Sequence, residues 1–220
     1  MWLVFALFLW PLVLVILISV ILLPFHFTIY SLINIVTVPF QLIKIAFNKE
    51  LRGNHALEHA TINVLEEKFG YQGLAGMANE NGFIIQGMVD PLHLEMAAAA
   101  GLRRLQQRED SLVIHDRCGT SILAANFVTS VIFLLLLLQT GMFNLINVLL
   151  AIFLAQIIGP IVGKIIQRYL TTSTQVDDFQ IVGVEYKAKV GMGFLGLPIS
   201  LKPTEFFVRT RRAHHVALDF

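Results

Sequence analysis

Residues 1–43 contain no Lys, Arg, Asp or Glu, and only 14% of the whole 220-residue chain is charged. Soluble domains carry about 25% charged residues, so the N-terminal stretch cannot form a water-facing surface and reads as membrane-embedded. It also lacks the basic start of a signal peptide, and its apolar run outlasts a signal core, so it is expected to be retained. The net charge of +1 provides no basic surplus that would mark a nucleic-acid partner. The single cysteine, Cys118, excludes an intrachain disulfide and fits a reducing compartment. The glycines of residues 73–87 come without the lysine and Ser/Thr of a phosphate loop. Gly191-Met192-Gly193-Phe194-Leu195-Gly196 has the spacing of a dinucleotide loop, but Pro198 comes soon after it and the segment reads as turns. A bound nucleotide is therefore not expected. No nucleophile elbow or serine–lysine pattern is present either.

What the chain does have is long apolar runs. Residues 2–23 are enough to cross about 30 Å of hydrocarbon as a helix. Pro24 comes next, and a proline pushes its predecessor out of the helical region. Residues 25–47 then form either a second span, closing a tight hairpin, or an interfacial helix, the hairpin being favoured. Residues 122–138 and 147–162 form a further hairpin around the polar break at 139–147. Lys44, Lys49, Arg52, Arg117, Lys164 and Arg168 flank these runs on one side, and the loop at 139–147 has no basic residue. The positive-inside rule then puts the soluble segments in the cytoplasm.

Between the apolar runs, residues 54–69 read as a helix that Gly70 can terminate. Residues 82–87 read as a strand between glycine turns. Asp90 and Pro91 open a helix running to about Gln107, and residues 111–114 read as another short strand. After the second hairpin, residues 179–190 are strand-like and glycines punctuate residues 191–196. A small β-rich tail is expected there, packing on the first soluble domain. Arg209, Arg211 and Arg212 make a modest basic cluster near its end. The organisation is thus 1–47 N-terminal membrane segment, 48–120 soluble α+β domain, 121–163 transmembrane hairpin and 164–220 soluble β-rich region. The fold class is an α-helical membrane protein of three or four spans with a small cytoplasmic α+β domain.

The chemistry concentrates at His55-Ala56-Leu57-Glu58-His59. Successive helical residues turn by about 100°, so His59 projects about 40° to one side of His55 and Glu58 about 60° to the other. Two imidazoles on one face can hold a divalent zinc ion, with the carboxylate beside them as a base. The order H-x-x-E-H is similar to the active-site helix of inverzincin peptidases, a resemblance confined to these five residues. It implies His55 and His59 as metal ligands and Glu58 as the catalytic base. The competing explanation is a structural helix whose polar side chains satisfy local hydrogen bonds.

A catalytic zinc wants a third protein ligand. Glu66 shares the face of His59 but lies about 10 Å along the axis, too far for the same ion. The inverzincin resemblance implies a downstream glutamate, for which Glu80 and Glu95 are formal candidates. His115-Asp116-Arg117-Cys118 is better placed: His55 comes just after one apolar segment and Cys118 just before the next, so either His115 or Cys118 could complete the site. Of the other histidines, His26 reads as interfacial or helix-packing, though an intramembrane ionisable group is a functional candidate by default. His93 reads as surface, and His214-His215 as a solvated tail.

Leu57-Glu58-His59-Ala60-Thr61, His115 through Cys118-Gly119-Thr120, and Gln167-Arg168-Tyr169-Leu170-Thr171-Thr172 together resemble a family of uncharacterised bacterial membrane proteins common in cyanobacteria and other phototrophs, over roughly residues 54–172. Asp116 stands where that family usually has Pro, and Ser121 where it usually has Asn; the His and Cys are intact. The resemblance implies membership and brings no activity with it.

The expectation is therefore a zinc-dependent hydrolase in the bacterial inner membrane, most simply a metallopeptidase, with the lipid bilayer and a membrane-proximal peptide or protein as partners. The alternative is a non-enzymatic membrane scaffold or assembly factor with a structural metal or none.

Overall fold

A computed structural model describes residues 2–115, 117–186, 189–192, 198–201 and 204–213. Asp116, the glycine turn at 193–197 and His214-His215 lie outside the described residues. The chain divides into two units, residues 1–41 with 122–163 and residues 42–121 with 164–220.

The first unit is built from apolar helices. α1 (Trp2–Ala46) is one uninterrupted helix of 45 residues, with Pro11, Pro24 and Pro39 inside it. The expected break at Pro24 does not occur, so residues 25–47 are not the return arm of a hairpin. Each proline forfeits one backbone hydrogen bond, whereas opening the helix in so apolar a stretch would strand several. The Thr28 hydroxyl donates to the Pro24 carbonyl at 2.7 Å. α4 (Gly119–Thr140) and α5 (Leu145–Ile166) are joined by a short polar turn, where Asn147 donates to the Thr140 hydroxyl and the Met142 carbonyl. Among the described residues, three segments are long and apolar enough to cross a membrane: Leu9–Ala46, Gly119–Thr140 and Leu145–Thr171. Within this unit Asn34 Nδ2 donates to Ser130 Oγ at 3.3 Å, a polar contact buried between α1 and α4.

The second unit wraps a sheet and a helix around α2 (Lys49–Phe69). α2 starts where Asn48 caps it by accepting from the Leu51 amide, and it ends at Gly70, in the left-handed region at φ +71°. β1 (Ala75–Asn79) and β2 (Gly82–Gln86) form a hairpin. α3 (Pro91–Gln106) is capped by Asp90, whose carboxylate accepts from the Leu92 and His93 amides. The expected strand at 111–114 is instead a 3₁₀ turn, Asp110–Val113. Its neighbouring carbonyls are taken by side chains of α2 rather than by a strand partner, Leu112 and Ile114 accepting from Asn63 Nδ2.

After α5 the helix widens into a π turn, Gln167–Thr171. Next come β3 (Phe179–Tyr186), β4 (Lys189–Met192), β5 (Pro198–Leu201) and β6 (Glu205–Arg212). β6 inserts between β2 and β3, giving an antiparallel sheet of order β1-β2-β6-β3. The C-terminal strands β3 and β6 thus complete the sheet begun by β1 and β2. The basic cluster on β6 is partly neutralised: Arg209 pairs with Glu185, and Arg212 with Glu50 and Asp178.

Leu57, Leu65, Phe83, Ile85, Leu94 and Phe206 anchor the core. α3 approaches α2 closely because Gly101 has no side chain; a Cβ there would come within 3.1 Å of Ala60. Gly101→Leu is expected to force the two helices apart and to cost about 1–3 kcal/mol, measurable as a lower denaturation midpoint in detergent.

Candidate metal centre

From Gly53 to Ile62 every residue of α2 is buried. A helix enclosed on all sides must account for each polar group it carries, because an unpaired buried polar atom costs about 1–3 kcal/mol. Asn54 is fully paired, donating to the carbonyls of Asn79 and Glu80 and accepting from the Thr210 hydroxyl. Thr61 donates to Leu57 O. His55 Nδ1 lies 2.9 Å from the Thr171 carbonyl and His59 Nδ1 lies 2.5 Å from the Val113 carbonyl. A carbonyl can only accept, so both rings carry their proton on Nδ1 and leave Nε2 as a lone pair.

Those lone pairs converge. Nε2 of His55 is 3.1 Å from Cys118 Sγ, and ligand atoms of His55, His59 and Cys118 all lie within 4.8 Å of one another. His59 Nε2 is buried without a hydrogen-bond partner. A neutral imidazole whose Nδ1–H is fixed by a carbonyl and whose Nε2 faces a thiol is the arrangement metal-ligating histidines adopt. Two imidazoles and a cysteine sulfur make a donor set that could hold a metal ion. The residues present fit such an ion.

Glu58 lies in the same enclosure, 4% exposed, and its carboxylate forms no hydrogen bond among the described residues. Gly76 of β1 covers it: a Cβ at Gly76 would overlap the Glu58 carboxylate. Burial pushes the Glu58 carboxyl up to about 8, against the pull of His55 and with a further push from Cys118. Burial also holds His59 well below the usual imidazole range, with His55 and His115 acting the same way and the Val113 carbonyl opposing. The Cys118 thiol is raised by burial, while the Thr120 hydroxyl and the amides of Thr120 and Ser121 oppose. In all three groups burial is the largest cause and favours the neutral form.

Cys118 reaches the pair from the loop before α4, and that loop is held by Gln167. The Gln167 side chain accepts from the His115 amide at 2.9 Å and donates to Ser121 Oγ at 2.5 Å. His115 itself is stationed beside the pair: its ring centroid is 5.9 Å from that of His59, and its Nε2 is 3.7 Å from Glu66. Of the two expected third ligands, Cys118 is the one whose ligand atom joins His55 and His59. Glu80 instead accepts from Asn48 Nδ2, and Glu95 is exposed. His93 stacks on Phe69 and bonds the Tyr71 hydroxyl, half-buried rather than free on the surface.

Residues 50–184 match a domain of unknown function, DUF6391. The chain belongs to this family. An uncharacterised protein of Picosynechococcus sp. is 33% identical over 135 residues, 56% of this chain and 66% of that protein. The chain therefore spans just under two thirds of that relative's length. No solved structure matches the chain. The DUF6391 segment contains His55, Glu58, His59, Cys118, Gln167 and Thr171, and it also encloses the three motifs that suggested the family. Reasoning from sequence did not assign roles to Gln167 or Thr171, although both stand in the third of those motifs. Thr171 gives its carbonyl to His55, and its own hydroxyl is buried without a partner.

In the metal-stripped protein the folded state holds a proton on Glu58 up to about pH 8, whereas the unfolded chain releases it near 4.5. Glu58 therefore lowers stability progressively as pH rises through that window, by up to about 1.4 kcal/mol per pH unit. Glu58→Gln should remove this component, so the melting temperature of the variant should rise relative to that of the wild type from pH 5 to pH 8 in metal-stripped samples.

Proposed function

We propose that this protein is a membrane-integral, zinc-dependent hydrolase, a metallopeptidase acting on polypeptide at the membrane surface. The observation that supports this reading is the residue accounting on α2. Among the described residues, His59 Nε2 is the buried side-chain atom of α2 left without a hydrogen-bond partner, and it stands with His55 and Cys118 beside the buried Glu58 carboxylate. Three protein ligands leave a zinc ion one open position, whereas structural sites close with four.

Bound there, zinc would supply Lewis acidity and acidify a water in its open position. The protein's own part is positional and protolytic. Thr171 and Val113 fix the two imidazole tautomers. Cys118 contributes its thiolate once its proton is lost. Glu58, ionised once the charge of zinc is beside it, would take the proton of the attacking water and deliver it to the departing amine. A carboxyl raised toward neutrality is suited to both halves of that transfer. The three apolar helices serve as spans of a bacterial inner membrane, with the soluble segments cytoplasmic because the basic residues gather at one set of span ends.

A second reading, a membrane scaffold or assembly factor organised around a structural metal, draws on one observation. His55, Glu58, His59 and Cys118 are each 7% exposed or less, a degree of enclosure that suits a permanent ion as well as a reactive one.

The purified protein should carry close to one zinc per chain by elemental analysis, and His59→Ala should lose it. Absence of bound metal from a folded, chelator-free preparation would end both metal readings. Glu58→Gln separates them: a hydrolase keeps zinc and fold but loses peptide cleavage by about 10²–10⁴-fold, and a scaffold is unaffected in its cellular role.

A further inference from the structure

A polar cavity with no histidine in its lining lies within the second unit. It is a cleft of about 580 Å³ whose lining includes Lys49, Arg52, Arg108, Arg212, Asp177 and Asp178. Four cations face two carboxylates, and the pairing within the cleft is uneven. Arg212 is fully occupied, bonding Asp178 at 2.6 Å and Glu50 at 2.7 Å. Arg108 meets Asp177 at 2.9 Å, but both side chains are more than half exposed, and such a pair contributes little and exchanges readily.

Arg52 is different. Its guanidinium donates to the backbone carbonyls of Thr172 and Tyr169, at 2.8 Å and 3.3 Å. These acceptors are neutral, so they position the guanidinium without cancelling its charge. Lys49 is exposed and forms no salt bridge among the described residues. It is also the first residue of α2, where the helix dipole adds positive potential. Lys49 feels the adjacent Glu50 carboxylate, which Arg212 already holds, so Lys49 and Arg52 stand on successive turns of α2 with no salt bridge of their own among the described residues, and Arg108 also lines the cleft.

The chemistry that answers such a site is a phosphate-bearing anion. Its source is indicated by where the lining residues fall along the chain. Lys49 and Arg52 come three and six residues after Ala46, the end of one candidate span, and Ser173 and Gln175, also in the lining, come just after Thr171, the end of another. Basic side chains just past a span end meet the phosphate layer of a bilayer.

We propose that this cleft binds the phosphodiester headgroup of an anionic phospholipid, with Lys49 and Arg52 as its charge partners and Arg108 released from Asp177 to join them. The proposal rests on the reading of these helices as membrane spans and is independent of the zinc chemistry. Carbonate extraction of cell membranes tests that underlying reading by itself: release of the protein into the soluble fraction would overturn it.

The binding is tested on the full-length protein in detergent, titrated separately with short-chain phosphatidylglycerol, short-chain phosphatidylcholine and glycerol 3-phosphate, and monitored by native mass spectrometry and thermal unfolding. Phosphatidylglycerol is expected to bind and stabilise well beyond the other two. The double variant Lys49→Gln/Arg108→Gln should weaken it by about 30-fold while keeping the zinc content and the lipid-free melting temperature of the wild type. Equal binding of phosphatidylglycerol and phosphatidylcholine, or an unchanged affinity in the double variant, would overturn the proposal. Glycerol 3-phosphate binding as tightly as phosphatidylglycerol would overturn the lipid assignment in favour of a soluble phosphate ligand.

Discussion

The hydrogen bonds from two imidazole Nδ1–H groups to two backbone carbonyls organise the rest of the second unit. Thr171 O holds His55 and Val113 O holds His59. Neither carbonyl belongs to a regular ladder: one is the last of the π turn after α5 and the other ends the 3₁₀ turn after α3. These irregularities leave carbonyls free to accept from side chains, which a continued helix or strand would not. The consequence is a pair of rings with one tautomer and one orientation, both aimed at Cys118. Preorganisation of this kind is what gives buried ligands their affinity, since the ordering cost has been met during folding.

The enclosure around that pair depends on small residues. Gly76 allows β1 to lie directly on the Glu58 carboxylate, and Gly101 allows α3 to lie against the backbone of α2. Both approaches exclude water from the polar face of α2. Water exclusion strengthens every electrostatic interaction inside the pocket, and it is also why Glu58 holds its proton to about pH 8. The same packing that isolates the carboxylate therefore sets its chemistry.

Much of this was legible from residues alone, for identifiable reasons. Gly70, Asp90 and Pro91 mark helix ends that the residues declare, whereas α2 begins at Lys49, capped by Asn48, five residues before the expected start at 54. The spacing of His55, Glu58 and His59 fixes their shared face by helix geometry, and the position of Cys118 just before an apolar run made it a partner by topology. Other features left little trace. β1 is Ala-Gly-Met-Ala-Asn, with no β-branched or aromatic residue to signal a strand; only the Asn81-Gly82 step beside the turn hints at the hairpin. Pro24 signalled a break that the apolar surroundings of α1 overrule. The carbonyls that orient the histidines could not be read at all, because every residue has one and only the fold decides which are free.

The π turn at Gln167–Thr171 serves two neighbours at once. Its closing bond runs from the Thr172 amide to the Gln167 carbonyl, five residues back, so it holds one residue more than an α-helical turn would. That extra residue shifts the carbonyls of Thr171 and Thr172 out of the helical ladder, the first toward His55 and the second toward Arg52. Deleting a single residue here would restore an ordinary helix and rotate everything beyond it by about 100°, withdrawing both acceptors together. The turn thus behaves as a register lock: the length of α5, counted to the residue, is coupled to the orientation of a histidine 116 positions away in the sequence.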